Sequence, residues 1–135
     1  MFVLDVIYHI CYIVYMGYQI DLYEKDNGEV PVLESIKNMD AKMQAKIYRE
    51  INLLEEFGRK LHEPYIKKIV GQKYSDLWEL RIKQSNNIFR IIYFTYVNDL
   101  CVLLHGFQKK SQKTPKKELD LAKSRMEDYK SRKKK

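Results

Sequence analysis

The sequence predicts a single α+β domain, in which a small, mostly antiparallel sheet packs against helices. Residues 18–23 and 77–83 alternate apolar and polar side chains, the period of two that is typical of half-buried strands. Between them lies an apolar stripe with helical spacing, formed by Met43, Ile47, Ile51 and Leu54. A chain of 135 residues is long enough for one domain with one modest core.

A strand and two helices are predicted first along the chain. After the strand at residues 18–23, Pro31 suits the first turn of a short helix. Asp40 can cap the second helix, because its carboxylate can accept a hydrogen bond from an unpaired backbone N–H of the first turn. Gly58 suits the C-terminal end of that helix, since glycine adopts left-handed backbone angles easily.

Three strands joined by short turns follow. They are predicted at residues 77–83, 88–97 and 100–109, with turns at Asn86-Asn87 and Asn98-Asp99. Such short connections force neighbouring strands to be antiparallel. Thr114-Pro115 then suits the start of a last helix, whose apolar side is Leu119, Ala122, Met126 and Tyr129. The order is therefore β-α-α-β-β-β-α, with one sheet face covered and the other at least partly open.

The net charge of +7 is concentrated near the C-terminus. Residues 109–135 contain twelve Lys and Arg against four Asp and Glu, whereas residues 1–108 contain thirteen against fourteen. A local excess of positive charge favours a polyanion or an acidic protein as partner. Residues 133–135, all lysine, are predicted to be a solvated basic tail.

Residues 1–15 are almost entirely apolar. The run is shorter than the roughly 20 apolar residues that span a bilayer. It also lacks the basic start and small-residue cleavage site of a signal peptide. We interpret residues 1–17 as an N-terminal extension, which either precedes a true start at Met16 or adds a strand or a partner contact. The domain is placed at residues 18–132, and no membrane association is expected.

Several kinds of chemistry lack their sequence signatures. The chain contains no Walker loop, G-x-G-x-x-G, H-E-x-x-H, C-x-x-C or G-x-S-x-G motif. Cys11 and Cys101 lie in apolar runs without metal-like spacing, and the histidines, His9, His62 and His105, form no metal-site pattern. We therefore expect a reduced, cytoplasmic protein without a disulfide, metal or small-molecule cofactor.

Basic side chains are instead concentrated on and after the three hairpin strands. They are Arg81 and Lys83 on the polar side of the first strand, Arg90 on the second, His105 and Lys109 on the third, and Lys110 and Lys113 beyond it. Adjacent strands lie about 4.8 Å apart, so these side chains could converge on one phosphate or a short run of nucleotides. Arginine offers phosphate two parallel donors, and lysine offers a mobile point charge.

Each of these residues also has a purely structural interpretation. Arg81 on a polar sheet face can simply be solvated. Arg90 can pair with Glu79 across the strands. A lone His105 is more often structural than catalytic. Residue chemistry by itself leaves these alternatives open.

Three runs of sequence narrow the choice. They are LWELRI at residues 77–82, IFRIIY at 88–93 and LLHGFQKKSQKTP at 103–115. Together they resemble the RelE/ParE superfamily of toxin–antitoxin toxins, and within it the phage-derived, HigB-like branch. The resemblance extends over about residues 18–130 and leaves residues 1–15 outside.

The resemblance implies a RelE-like fold and a type II toxin that is a ribosome-dependent mRNA endonuclease. Its implied partners are mRNA on the ribosome and a cognate antitoxin, often one with a helix-turn-helix domain. Carried over by motif, the residues that contact or activate the scissile phosphate are Arg81, Lys109 and Lys110, with Arg90 and His105 matching less securely. Arg90, Lys83 and Lys113 are predicted to bind substrate. No residue here matches the C-terminal tyrosine or histidine of some relatives.

The implied reaction is attack by the RNA's own 2′-hydroxyl on the adjacent phosphorus, which leaves a 2′,3′-cyclic phosphate and a 5′-hydroxyl. Arg81 with Lys109 or Lys110 would stabilise the charge that accumulates on the phosphoryl oxygens. The general base stays open between a lysine whose pKa is lowered by neighbouring cations and His105. Two other functions also stay open: a ParE-like inhibitor of DNA gyrase, and an RNA-binding module that does not cut.

Overall fold

The structure, a computed structural model, describes residues 17–109 and 113–133. It contains a five-stranded mixed sheet and, within the described ranges, three α-helices. The strands are β1 (Gln19–Leu22), β2 (Ile66–Lys68), β3 (Trp78–Gln84), β4 (Asn87–Tyr96) and β5 (Leu100–Gln108). The helices are α1 (Pro31–Lys37), α2 (Ala41–Phe57) and α3 (Lys116–Lys133).

The strand order across the sheet is β1-β5-β4-β3-β2. Only the β1–β5 pair among these is parallel, so the predicted α+β class with a mostly antiparallel sheet is confirmed. The short strand β2 was not predicted. It has three residues, too few to show a period of two, and it forms by pairing with the Trp78–Leu80 part of β3.

Helices α1 and α2 cover one face of the sheet. The carboxylate of Asp40 accepts the backbone N–H of Met43 at 2.8 Å, which confirms the predicted cap. At the other end of α2, Gly58 adopts a φ of 51°, and its N–H donates to the Leu54 carbonyl. The predicted stripe is buried against Leu80, Ile82, Phe89, Ile91 and Tyr93, except that Ile51 is only partly buried.

Helix α3 covers much of the opposite face. Its buried side chains are the predicted Leu119, Ala122, Met126 and Tyr129, and they pack on Ile92, Phe94, Val102 and Leu104. Two tyrosine–carboxylate hydrogen bonds hold the helix to β1 and the segment after it. Tyr129 donates to Asp21 at 2.7 Å, and Tyr23 donates to Asp128 at 2.6 Å. The second face, which was expected to be at least partly open, is therefore covered over β4 and β5.

A register shift in β5 decides which of its side chains lie under α3. Ile92 is paired with His105, but the next residue, Tyr93, is paired with Leu103. Leu104 is therefore an extra residue in β5, as in a β-bulge. As a result Leu104 and His105 both face α3, although neighbours in a regular strand would face opposite sides.

Two residues next to the predicted domain boundaries lie within the described structure. Gly17, assigned to the extension, belongs to the fold, because it is buried and a β-carbon on it would overlap the Glu55 carbonyl. Lys133, assigned to the basic tail, is still part of α3. Residues 1–16, 110–112 and 134–135 lie outside the described residues, so what was expected of them stays a prediction.

Two further observations concern the described residues alone. None of the helices in residues 17–109 and 113–133 is long and apolar enough to cross a membrane. Cys101 is a buried thiol, and burial raises its pKa well above the ordinary value. Cys11 falls in the undescribed part of the chain.

We expect Gly106→Ala to destabilise the fold by about 1–3 kcal/mol, the usual range for overpacking. A β-carbon at Gly106 would lie 2.6 Å from the Ser35 hydroxyl oxygen and 3.0 Å from the Phe89 ring. Removing that hydroxyl in Gly106→Ala/Ser35→Ala should recover part of the loss, since only the ring contact then remains. Urea unfolding of the four proteins of this cycle measures the coupling. Strict additivity of the two substitutions would contradict this packing.

Candidate functional site

A buried ion pair joins the two central hairpin strands. Glu79 of β3 and Arg90 of β4 are both inaccessible to solvent, and Arg90 Nη1 lies 3.4 Å from Glu79 Oε1. Glu79 lies on the same side of β3 as Arg81, and the segment before α3 covers it there through Thr114. The structural interpretation of Arg90 as the partner of Glu79 is therefore the one the structure shows. Arg90 presents no surface to a substrate in this conformation, in contrast to its predicted substrate-binding role.

Thr114 ties the segment before α3 to this ion pair. Its hydroxyl donates to Glu79 Oε1 and accepts a hydrogen bond of 3.0 Å from Arg90 Nη1. The backbone of α3 begins its hydrogen bonding at the Pro115 carbonyl, which accepts from Glu118 N at 3.1 Å. The Thr114 side chain thus connects the start of the last helix to the sheet.

Arg81 is held by the other oxygen of the same carboxylate. Its Nε lies 3.2 Å from Glu79 Oε2, and 27% of its side chain is exposed. Glu79 therefore binds two arginines, one fully buried through Oε1 and one at the surface through Oε2. Because Glu79 is itself fixed by Arg90 and Thr114, the guanidinium of Arg81 is restrained more than that of an ordinary surface arginine.

Arg81 lines a pocket of about 390 Å³ at the free edge of β3. The pocket exists because β2 pairs with β3 only as far as Leu80, so that the rest of β3 has a neighbouring strand on its β4 side alone. The chain before β2 closes one side, where the Arg81 N–H donates to the Tyr65 carbonyl at 2.8 Å. The other side chains around the pocket come from β3, β4, α2 and that preceding segment: Lys83, Ile88, Lys46, Glu50, Pro64 and Tyr65.

A third predicted residue, Lys109, lies beside this pocket. Its backbone N–H donates to the carbonyl of Ile88 at 3.1 Å, and Ile88 is paired with Lys83 in the sheet. Lys83 and Lys109 are both exposed, at the same end of the sheet. Lys113 is exposed in the segment before α3, and Lys110 is not among the described residues.

His105 lies away from the pocket, beneath α3. Its Nε2 contacts the carboxylate of Glu118, its Nδ1 lies 3.2 Å from Arg125 Nη1, and its ring stacks on Phe107. Burial lowers the pKa of His105 below the ordinary value, Glu118 opposes that shift, and Arg125 adds to it. The contacts of His105 tie β5 to α3, so the histidine is a poor candidate for the general base.

The structure thus places Arg81 and Lys83 around one pocket and Lys109 next to Ile88 of its lining, whereas Arg90 is buried and His105 lies under α3. The sequence patterns missed three pocket residues, Lys46, Glu50 and Tyr65. One signal for Glu50 was present, because it lies three residues after Ile47 and four before Leu54, on the buried side of α2. A carboxylate at such a position needs either a partner or a function.

The chain belongs to the family of phage-derived Gp49-like proteins (DUF891), whose family model matches residues 34–127. This is a type II toxin-like family related to RelE and HigB. The matched segment contains all the described residues that line the pocket, together with Glu79, Arg90 and Thr114. Comparison with curated proteins gives no match.

Arg90→Ala should destabilise the protein by about 3–5 kcal/mol, because it leaves Glu79 buried without its main ionic partner. Arg59 provides the matched control, since it also pairs with a carboxylate, Asp99 at 2.7 Å, but is 76% exposed. Arg59→Ala should therefore cost less than about 1 kcal/mol. Chemical denaturation of both variants measures the difference. Equal losses would show that the buried ion pair is not a principal support of the fold.

The pKa of His105, followed by NMR, should lie below the usual histidine value, and Glu118→Gln should lower it further because the carboxylate favours the protonated ring. A depressed pKa contributes stability that is complete above the ordinary histidine pKa and is lost as the pH falls toward the pKa of the folded state. A His105 pKa that rises in Glu118→Gln would contradict the described contact.

Proposed function

We propose that the protein is the toxin of a type II toxin–antitoxin system, with a RelE-like topology, and that it acts in the cytoplasm as a ribosome-dependent mRNA endonuclease. Membership of a toxin-like family supports the first part of this proposal. One structural observation carries the second part. At the free edge of β3, the guanidinium of Arg81 is fixed by a buried carboxylate beside an open pocket lined by two lysines.

A fixed guanidinium suits phosphoryl chemistry. As the 2′-hydroxyl attacks phosphorus, negative charge accumulates on the phosphoryl oxygens, and donors already in position stabilise it without reorganising. Arg81 has its Nε engaged by Glu79, which orients the planar group, and Arg81 is one of the residues that line the pocket. In this proposal Arg81 contacts the scissile phosphate, whereas Glu79 and Arg90 are positioning residues that act through it.

The remaining cations have supporting roles. Lys83 and Lys109, exposed on either side of Ile88, are proposed to bind phosphates next to the cleavage site. Lys110 and Lys113 would extend that surface along the connection to α3. The strongly basic chain after β5 also suits an acidic segment of a cognate antitoxin, proposed to contain a helix-turn-helix domain and to cover this surface.

Incubation of the purified protein with translating ribosomes, followed by mapping of mRNA 5′ ends, tests the proposed activity. We expect discrete new ends, each with a 5′-hydroxyl, that depend on ribosomes. Adducts between gyrase and DNA in place of RNA cuts would indicate the gyrase-inhibitor function. Binding of RNA without any cut would indicate a binding module.

Arg81→Ala should slow cleavage by roughly 100- to 1,000-fold, the usual effect of removing one well-aimed transition-state donor. Arg81→Lys should recover only part of the rate, because a point charge cannot reproduce two parallel hydrogen bonds. Arg59→Ala again serves as control and should cut at the wild-type rate. Single-turnover kinetics on a ribosome-bound message provide the measurement. An Arg81→Ala protein that is unstable but still cuts normally would assign Arg81 a structural role only.

A further inference from the structure

Glu50 contributes the one carboxylate among the described side chains that line the β3-edge pocket. It stands one helical turn after Lys46 on α2, so both side chains reach the pocket from the same side. Arg81 and Lys83 approach from β3. The pocket therefore combines three cations with one anion, in contrast to the purely basic surface that the sequence predicts.

Glu50 is buried although one of its carboxylate oxygens lacks a hydrogen-bond donor among the described residues, which is unusual for a glutamate. Only 6% of the residue is exposed, and its Oε2 has no hydrogen-bond partner among the described residues. Burial raises the pKa of Glu50, and the nearby charges of Lys46 and Arg49 only partly oppose that shift. A buried acceptor without a donor costs free energy, so an external donor in the pocket would be bound favourably.

The size and lining of the pocket fit a single nucleotide. Its volume of about 390 Å³ lies in the lower part of the range for small-molecule sites, roughly 300–1,000 Å³. Arg81, Lys83 and Lys46 are suited to a phosphate. The exposed Tyr65 offers an aromatic ring, and unpaired RNA bases commonly stack on such rings.

We propose that this pocket binds one ribonucleotide of the RNA substrate and that Glu50 accepts the proton of its 2′-hydroxyl. The inference rests on the proposed endonuclease function and supplies the base that the sequence left open. The 2′-oxygen forms its bond to phosphorus as the proton passes to the Glu50 carboxylate. The bond from phosphorus to the 5′-oxygen breaks, and that oxygen takes a proton from water. Glu50 then returns its proton to solvent, so that no other reactant is consumed.

A carboxylate suits this task better than the other groups nearby. A lysine can act as a base only after losing its own proton, whereas Glu50 can be ionised and accept a proton directly. A raised pKa makes Glu50 a stronger base than an ordinary glutamate. His105 is held under α3 by Glu118 and Arg125 and is not among the residues that line the pocket.

The test compares Glu50→Gln with Glu56→Gln, an exposed glutamate on the same helix. Glutamine keeps the size of Glu50 but cannot take the proton, so we expect kcat to fall by about 100-fold or more, the usual contribution of a general base. Glu56→Gln should cut at the wild-type rate. The wild-type rate should decline on the acidic side as Glu50 becomes protonated, and the residual activity of Glu50→Gln should lack that decline.

A binding experiment tests whether the pocket holds a nucleotide, independently of whether Glu50 accepts a proton. Adenosine 3′-monophosphate, titrated into the protein and followed by NMR, should perturb Tyr65 and Lys46 in both the wild type and Glu50→Gln. Lys46→Ala should weaken that binding. If Glu50→Gln fails to fold, Glu50→Asp takes its place in the test. Aspartate is a shorter acid, so this variant should cut RNA more slowly, and its rate should still decline at acidic pH.

The outcomes are distinguishable. A wild type that cuts RNA, with Glu50→Gln cutting equally fast and with the same pH profile, overturns the role of Glu50 and leaves the endonuclease function standing. Cutting without any nucleotide-induced change at Tyr65 or Lys46 overturns the pocket as the binding site. A wild type that cuts no RNA overturns the proposed function and the proton transfer together.

Discussion

The carboxylate of Glu79 is the contact on which the rest of the structure depends. Its Oε1 binds Arg90 and Thr114, and its Oε2 binds Arg81. It therefore joins β3, β4 and the start of α3 through one buried group. Removing charges from water is costly, and the cost is offset only when each charge has well-placed partners. This requirement fixes the central strands, the approach of the last helix and the orientation of the arginine at the surface.

The location of the pocket follows from that arrangement. With α1 and α2 on one face and α3 on the other, the sheet has little free face on which to bind a ligand. One accessible part of the sheet is the edge of β3 beyond the three-residue strand β2. Arg81 stands at that boundary, between the buried ion pair and solvent, and α2 brings Lys46 and Glu50 to the same place. The proposed chemistry is thus located at a sheet edge rather than on a sheet face.

Much of the fold was predictable, because it is set by local signals. Three examples are the Asp40 cap, the Gly58 helix end and the apolar side of α3. Each depends on residues that are close together in the sequence. The burial of Glu79 could not be predicted from local signals, because it depends on Thr114, a residue 35 positions away. The β-bulge that turns His105 toward α3 is likewise a matter of pairing between strands. The basic residues after β5 were recognised as candidate binding residues from their charge. Glu50 was not recognised, because it is a single polar residue on an otherwise apolar side of its helix.

A crystal structure with a short RNA that cannot react, with a 2′-deoxynucleotide at the cleavage position, tests the central claim most directly. The account predicts the scissile phosphate within hydrogen-bonding distance of the Arg81 guanidinium, and the C2′ edge of the preceding sugar facing Glu50. It also predicts that the Glu79 contacts remain as they are in the free protein. RNA bound elsewhere, for example over α3, with the β3-edge pocket empty, would contradict the account.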